Sequence, residues 1–309
     1  MYNFYGKKAL VTGGTGFLGS HLSYGLEKAG AEVHAISRSQ RSAQDSPIKW
    51  WQGDLSDIDS GRKFLQEIQP DLVFHLCGHG VGAPDLKNVL PTLHNDLVTA
   101  VNVLTLVTEL KIPRLVLAAS LEEPQSTDSN IIPSTPYAAA KWAVSAYAQM
   151  FHMLYKAPVV MVRPFMTYGP RMPKHKLIPY VILSLLRGET PKLSSGSRLV
   201  DWIYVDDITR GMLAAALAQG VEGETFDLGS GKLVPIKSVV LKISEMIGNN
   251  IEPLFGGLPD RPQERVRVAK NESALARLDW SPTISLENGL RKTIDWYSEN
   301  LEALGERTT

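Results

Sequence analysis

The sequence predicts an α/β fold, a doubly wound parallel sheet with a smaller C-terminal substrate domain interleaved with it. Three observations predict it. Through the first 165 residues, apolar runs of strand length alternate with longer segments of helical period, the pattern of strands joined by crossover helices. The first strand runs straight into a glycine-rich junction, VTGGTGFLGSHL (11–22). Beyond residue 165 the alternation breaks, and loops rich in proline and basic residues take over.

The elements follow in order. Strands are expected at KALVTG (8–13), EVHAIS (32–37), IKWWQG (48–53), LVFHLC (72–77), RLVLAAS (114–120) and VVMVRP (159–164), with helices at 17–29, 57–68, 92–110 and 136–156. Six β units with short connections meet the requirement of a dinucleotide-binding Rossmann sheet. Further on, YGPRMPKHKLIP (168–179) and GLPDRPQERVRV (257–268) read as loops over a ligand. Helices are expected at 177–187, 206–219, 235–247, 272–278 and 286–302, with short strands at WIYV (202–205) and ETFDLG (224–229). Residues 1–165, with a returning segment at about 198–228, are assigned to the Rossmann domain. The substrate-binding domain takes 166–197 and 229–309, and the cleft between the two is the expected substrate site.

Composition narrows the function class. Lys+Arg 32 balances Asp+Glu 32 in 309 residues, so nothing favours nucleic acid or an anionic membrane as partner. Apolar runs stay well short of the ~18 residues of a membrane span. The opening MYNFYGKKAL lacks the apolar segment of a signal peptide. A cytoplasmic protein is expected. The single cysteine, Cys77, excludes an internal disulfide, and the seven histidines have no metal-ligand spacing, so no metal is expected. The helix at 136–156 carries Tyr137, Trp142, Tyr147, Met150, Phe151 and Leu154 around most of its circumference. A surface helix shows one apolar stripe, so a homodimer packed through this helix and 92–110 is expected. The alternative is a wide stripe covered by its own subunit.

At the first strand–helix junction, Gly13, Gly16 and Gly19 recur at three-residue intervals, with Thr15, Phe17 and Leu18 between them. Glycine there permits a tight turn and a close approach of backbone to a pyrophosphate, and the helix start offers unpaired N–H groups and partial positive charge. The end of the second strand reads which dinucleotide binds. An acidic residue there accepts hydrogen bonds from the ribose of NAD, but this chain has Ser37, Arg38 and Ser39. An arginine fork with neighbouring hydroxyls suits a 2′-phosphate, so NADP is expected, with NAD as the alternative. Asp54 and Leu55 would border the adenine, and Leu76, Cys77 and Gly78 would approach the cofactor's middle. Nothing in the sequence marks a base that would activate Cys77, which reads as a small buried residue.

The reactive centre is expected at the helix start. Ser134-Thr135-Pro136 supplies a cap and a first-turn proline, and Tyr137 and Lys141 follow at a spacing of four, on one helical face. A nearby ammonium favours the phenolate of a tyrosine. Ser120, closing the fifth strand, would hydrogen-bond the same substrate oxygen and complete a proton-transfer site.

These residues resemble the extended short-chain dehydrogenase/reductase family, in the NAD-dependent epimerase/dehydratase branch that modifies nucleotide sugars. The resemblance runs through the glycine loop, Asp54-Leu55, HLCG (75–78), Ser120, PYAAAK (136–141), RPFMTYGP (163–170), DWIYVDD (201–207) and LDWSPTISLENGLRKTIDWY (278–297). It implies that Tyr137 is the acid/base, that Lys141 holds the nicotinamide ribose and lowers the tyrosine pKa, and that Ser120 orients the substrate hydroxyl. It adds Pro164 to the cofactor set and supports dimerisation through two helices per subunit. The chain also departs from the family. Dehydratases carry Asp-Glu after the Ser or Thr; here the Asp position is Leu121, which counts against water elimination. Glu122 remains as a second acid/base group, unless Glu122 and Glu123 are only a solvated loop. Met166 stands for the family's Asn and Val200 for an Arg, so Arg171 or Arg198 would compensate at the diphosphate, with Arg261 matching a late phosphate-binding Arg. Asp96, beside Asn95, stands where the family has an Asn near the active-site water relay.

The best expectation is an NADPH-dependent 4-ketoreductase of a nucleotide-linked 4-keto-6-deoxy sugar. An NAD-dependent nucleotide-sugar 4-epimerase is the alternative. A decarboxylase or a non-catalytic dinucleotide sensor is less favoured.

Overall fold

In the computed structural model, the described residues are 2–41, 47–80, 82–125, 131–260 and 265–304. Seven strands form the main sheet: β1 (Lys8–Thr12), β2 (Glu32–Ser37), β3 (Lys49–Gln52), β4 (Leu72–His75), β5 (Arg114–Ala118), β6 (Val159–Pro164) and β9 (Thr225–Leu228). Their order is β3-β2-β1-β4-β5-β6-β9. The first six pair in parallel, Leu10 lying opposite His34 on one side and Val73 on the other. Met161 N–H donates to Glu224 O at 2.9 Å and Phe165 N–H to Leu228 O at 2.9 Å, so β9 runs in the same direction. Every residue of β4 and β5 is buried, as expected for strands covered on both faces. The order reverses between β1 and β4, and in open α/β sheets that reversal marks the ligand crevice at the strands' carboxyl ends.

Crossover helices α1 (Phe17–Lys28), α2 (Ile58–Ile68), α4 (Thr99–Glu109) and α5 (Pro136–Tyr155) lie near their expected places. One core joins the sheet to three of them through Leu10, Leu65, Val73, Leu104, Leu115 and Val144. The helix expected at 92–110 is more complex. It opens with a 3₁₀ turn at Leu86–Asn88 and a short helix α3 (Val89–Thr92), passes through a π turn at Leu93–Val98, and only then becomes α4. Pro91 is tolerated because the first turn needs no backbone N–H. A π turn inserts an extra residue into the helical ladder, and here it carries Asp96, 1% exposed.

The chain divides into two compact units. The first contains Met1–Pro164, Thr209–Asp227 and Glu272–Ser281. Its returning segment is narrower than the 198–228 read from sequence and gains 272–281. Arg114 pins it, donating to Ala218 O at 2.8 Å and Glu222 at 2.8 Å, and Arg277 pairs with Glu224 at 2.8 Å.

The second unit is Phe165–Ile208, Leu228–Asn271 and Pro282–Thr309. Here β7 (Met166–Tyr168), β8 (Leu199–Tyr204) and β10 (Leu233–Pro235) form a three-stranded sheet in the order β10-β8-β7, which is what keeps residues 199–204 in this unit. Helices α6 (Leu177–Leu186), α8 (Ile236–Ile247) and α10 (Leu286–Glu299) accompany it. Two aspartates of DWIYVDD are structural. Asp201 accepts from Ser230 N–H at 2.7 Å, Gly231 N–H at 3.0 Å and Ala269 N–H at 2.9 Å. Asp207 accepts from Ile284 N–H at 3.0 Å and the Thr283 hydroxyl at 3.1 Å. Two further helices are α7 (Val205–Leu217) and α9 (Glu272–Leu278). Among the described residues no helix is long and apolar enough to cross a membrane.

Candidate functional site

The glycine junction is built from backbone. Gly13 adopts φ +73°, a conformation that suits glycine, and turns the chain out of β1. Gly16 N–H closes the turn on Gly13 O at 2.9 Å, and Gly16 then caps α1 without a side-chain cap. Gly19 is buried in the first turn of α1, where a Cβ would lie 2.1 Å from Gly13 O. Loop and helix therefore touch backbone to backbone. Thr15 is exposed, and Phe17 and Leu18 are half-buried at the helix start. An uncapped helix N-terminus behind a tight glycine turn is the cradle a pyrophosphate requires, and these residues fit a dinucleotide.

Next along the sheet edge, Ser37 is buried at the end of β2 and its hydroxyl lies 3.4 Å from that of Ser39. Arg38 is exposed, yet its Nη1 donates to Asn95 Oδ1 at 2.9 Å, linking the end of β2 to the π turn. Asp54 is exposed and accepts from Ser56 N–H at 2.9 Å, while Leu55 is buried. Leu76 and Cys77 are half-buried and Gly78 is exposed after β4. Burial pushes the Cys77 thiol up, with the Asp96 charge adding to it, which is the opposite of an activated nucleophile. Under this edge, Thr12 Oγ1 pairs with His75 Nδ1 at 2.9 Å. Burial, then the Lys141 charge, lower the His75 pKa to about 3.

The remaining candidates converge where β5 meets α5. Thr135 caps the helix, accepting from Ala138 N–H at 3.0 Å, and Pro136 occupies its first turn. Tyr137, Lys141 and Ser145 then succeed one another a turn apart on one face. Tyr137 hydrogen-bonds Ser120. The Ser120 Oγ already accepts Glu122 N–H at 3.2 Å, which leaves its hydroxyl hydrogen for the phenol oxygen. Lys141, buried, donates from Nζ to Ala118 O at 2.9 Å and lies 5.9 Å from the Tyr137 ring centroid. Glu122 is half-buried, with Oε2 3.5 Å from the Thr135 hydroxyl.

Charge around the phenol works against its ionisation. Burial pushes the Tyr137 pKa well up, the Ser120 hydrogen bond pulls it down, and Glu122, Asp96 and Glu123 push it up again. Asp96 is itself raised by burial, opposed by the Lys141 charge and by His79 N–H, which donates to Oδ2 at 2.8 Å. Its Oδ1 is buried without a partner.

This layout of strand ends, glycine turn and Tyr-Lys helix falls within residues 9–229, which match the family model described as NAD dependent epimerase/dehydratase family. The chain belongs to that family. A UDP-glucuronate 4-epimerase of Thermodesulfobacterium geofontis is 26% identical over 318 residues, covering 96% of this chain and 97% of its own. A dTDP-glucose 4,6-dehydratase of Haemophilus influenzae is 28% identical over 331 residues, covering 94% and 98%. Among solved structures, UDP-glucuronic acid 4-epimerase from Bacillus cereus, in complex with UDP-glucuronic acid and NAD, superposes with a TM-score of 0.82. It is 25% identical, with 94% of this chain and 99% of that chain covered. The protein is thus an enzyme of a family whose members act on nucleotide sugars.

Not every expected residue joins this cluster. Pro164 ends β6 in the first unit. Met166, Arg171 and Arg198 belong to the second unit: Met166 is half-buried opposite Trp202, Arg171 is exposed at φ +64°, and Arg198 is half-buried. Arg261 lies outside the described residues. Among the described residues no group of three or more His, Cys, Asp or Glu is placed to hold a metal ion. Glu123, expected from the sequence to share a solvated loop with Glu122 if neither is catalytic, is 2% exposed. Its partners Ser145 and Arg163 are not among the residues the sequence points to. The available signal is Ser145, one turn beyond Lys141 on the face that carries the chemistry.

Proposed function

We propose that this protein is a nucleotide-sugar 4-epimerase with NAD as its resident cofactor. The observation that carries this reading is the join of β5 to α5, where Ser120, Tyr137 and Lys141 form a proton-transfer site while Leu121 occupies the position at which dehydratases carry an acid. Such a site moves a proton to and from a sugar hydroxyl and lacks, at position 121, the acid that dehydratases carry beside their glutamate. When bound, NAD supplies the hydride acceptor for one half of the cycle and the donor for the other, so no net redox change results.

The chain's own residues do the rest. Tyr137 takes the proton from the C4 hydroxyl and returns it to the same oxygen when hydride comes back to C4 from the opposite face. Ser120 donates its one hydroxyl hydrogen to the phenolate, which offsets part of the burial that holds the phenol protonated. Lys141 is placed to hold the nicotinamide ribose, fixed by Ala118 O at 2.9 Å. Gly13, Gly16 and Gly19 with the start of α1 hold the pyrophosphate. Arg171 or Arg198, together with Arg261, is assigned to the diphosphate of the substrate, and Met166 is kept among the substrate contacts. A homodimer is part of the reading, because Trp142 and Tyr147 on α5 are each 41% exposed. Light scattering is expected to give twice the chain mass.

A second reading, an NADPH-dependent 4-ketoreductase, is favoured by one observation, the absence of a carboxylate among Ser37, Arg38 and Ser39. One experiment separates the two. The enzyme is incubated with UDP-hexoses, UDP-glucuronate included, while C4 stereochemistry is followed by NMR, and in parallel with NADPH and nucleotide-linked 4-keto sugars while absorbance is followed. Inversion at C4 without added cofactor supports the epimerase. Stoichiometric NADPH loss without isomer exchange supports the reductase and sinks the first reading.

A further inference from the structure

The turn after β5 contains a buried carboxylate that the proposed proton transfer does not use. Glu123 Oε1 accepts Ser120 N–H at 2.6 Å, and Glu123 N–H donates back to Ser120 O at 3.2 Å. The two residues close a small ring of backbone and side chain. The other carboxylate oxygen, Oε2, accepts the Ser145 hydroxyl at 2.8 Å and lies 3.8 Å from Arg163 Nη2. Arg163, on β6, is held from its other side by Asp227 on β9 at 2.6 Å. Burial pushes the Glu123 carboxyl up, while Arg163, the Ser120 amide, Ser145 and Lys141 pull it down. Burial outweighs these contacts, all of which converge on the carboxyl and oppose it.

The strand end is thereby fastened to one face of α5 at three successive turns. Tyr137 bonds Ser120, Lys141 bonds Ala118 O, and Ser145 bonds Glu123. The first two fastenings are chemical groups of the site and must be free to engage substrate and cofactor. The third is buried, with Glu123 2% and Ser145 8% exposed, and is the only one of the three that also grips the Ser120 backbone.

We propose that Glu123 is a positioning residue: with Ser145 and Arg163 it fixes the Ser120 backbone to the Tyr137–Lys141 helix, so that the Ser120 hydroxyl stays aimed at the phenol oxygen when substrate enters. The proposal rests on the reading of Ser120 and Tyr137 as the proton-transfer pair. In this role Glu123 acts through Ser120, whose backbone it holds. Its carboxyl accepts from Ser120 N–H and the Ser145 hydroxyl at once and faces Arg163 at 3.8 Å. Glutamine in its place keeps one acceptor for Ser120 N–H but turns an amide NH₂ toward two donors, which loosens the ring.

A kinetic double-mutant cycle tests this, because residues that act through one another are non-additive. Glu123→Gln is expected to lower kcat for C4 inversion by about 10-fold or more, with KM and the NAD dissociation constant changed by less than about twofold. In a Ser120→Ala background the same change is expected to cost less than about twofold. Equal losses in both backgrounds, or a loss confined to KM, would overturn the proposal. Ser145→Ala removes a single fastening and gives a milder variant, expected at about threefold in kcat, if Glu123→Gln fails to fold. A readout independent of substrate is hydrogen exchange at the Ser120 amide of the holoenzyme. Glu123→Ala is expected to speed it by about 10-fold while α4 keeps its protection. Unchanged exchange would sink the positioning role even if the epimerase reading held, and faster exchange would sustain it even if that reading failed.

Discussion

The glycine junction after β1 and the turn after β5 lie at the carboxyl ends of strands on either side of β4, and they are built by opposite means. The first is backbone throughout, with Gly13 bent to φ +73° and Gly19 so close to Gly13 O that no side chain fits. The second depends on side chains, with Ser120, Glu123, Tyr137, Lys141 and Ser145 braced across a strand and a helix and anchored on backbone at Ser120 and Ala118. A backbone site binds what approaches it and has nothing to titrate. A side-chain site changes protonation, and it needs supports to keep its groups in register while it does so.

This contrast predicts different failures at the two ends. The largest is expected for Tyr137→Phe, which should lower turnover about 10²–10⁴-fold, the range of general acid–base catalysis, while titration calorimetry finds NAD affinity within about threefold of wild type. Gly19→Ala should do the reverse. A Cβ 2.1 Å from a backbone oxygen forces loop and helix apart, so NAD affinity should fall about 100-fold, or about 2.7 kcal/mol, with a lowered melting temperature.

Between the two ends, His75 on β4 gives a stability effect. Its native pKa of about 3 lies below the ordinary 6.5, so the unfolded chain takes up a proton that the native one refuses. Stability is full above pH 6.5 and is lost as pH falls toward 3, with a slope of at most about 1.4 kcal/mol per pH unit. Denaturant titrations at several pH values should find this slope flattened in His75→Asn.

Glu122→Gln should have a smaller effect with a clear sign. It removes a negative charge that pushes the Tyr137 pKa up, so the rising limb of the kcat–pH profile should move to lower pH with little loss at the plateau. An unmoved limb and a collapse of activity would make Glu122 a proton-transfer group in its own right. The smallest change is expected for Arg38→Ala. Arg38 is held by Asn95 at 2.9 Å, so NAD affinity should change by less than about threefold and NADP affinity by more.

Much of this is legible in the sequence because it depends on short-range pattern. Gly13, Gly16 and Gly19 recur at the spacing a helix start demands, and Tyr137 and Lys141 are one turn apart, so residue spacing, set within the alternation of strands and helices, points to both candidate sites. Strand-by-strand alternation locates all six of the expected sheet strands. The π turn at Leu93–Val98 is not legible, since apolar periodicity continues through it and the inserted residue shifts only the register of Asp96. Glu123 is unreadable for another reason. Two adjacent glutamates in a polar turn look solvated, and burial of one of them is decided by Ser145 and Arg163, which are far away in sequence. The extent of the returning segment likewise depends on Arg114 meeting Ala218 and Glu222, a pairing across more than a hundred residues of chain.

The most direct measurement of the account is the fate of the C4 hydrogen. A UDP-hexose carrying deuterium at C4 is incubated with the wild-type holoenzyme, with no cofactor added, and the product is read by NMR and mass spectrometry. If the backbone site holds the dinucleotide through the whole cycle and the side-chain site moves only protons, the C4-inverted product keeps its deuterium. Inversion with deuterium lost to solvent, or substrate recovered without inversion while a 4-keto sugar is reduced by NADPH, would contradict the account.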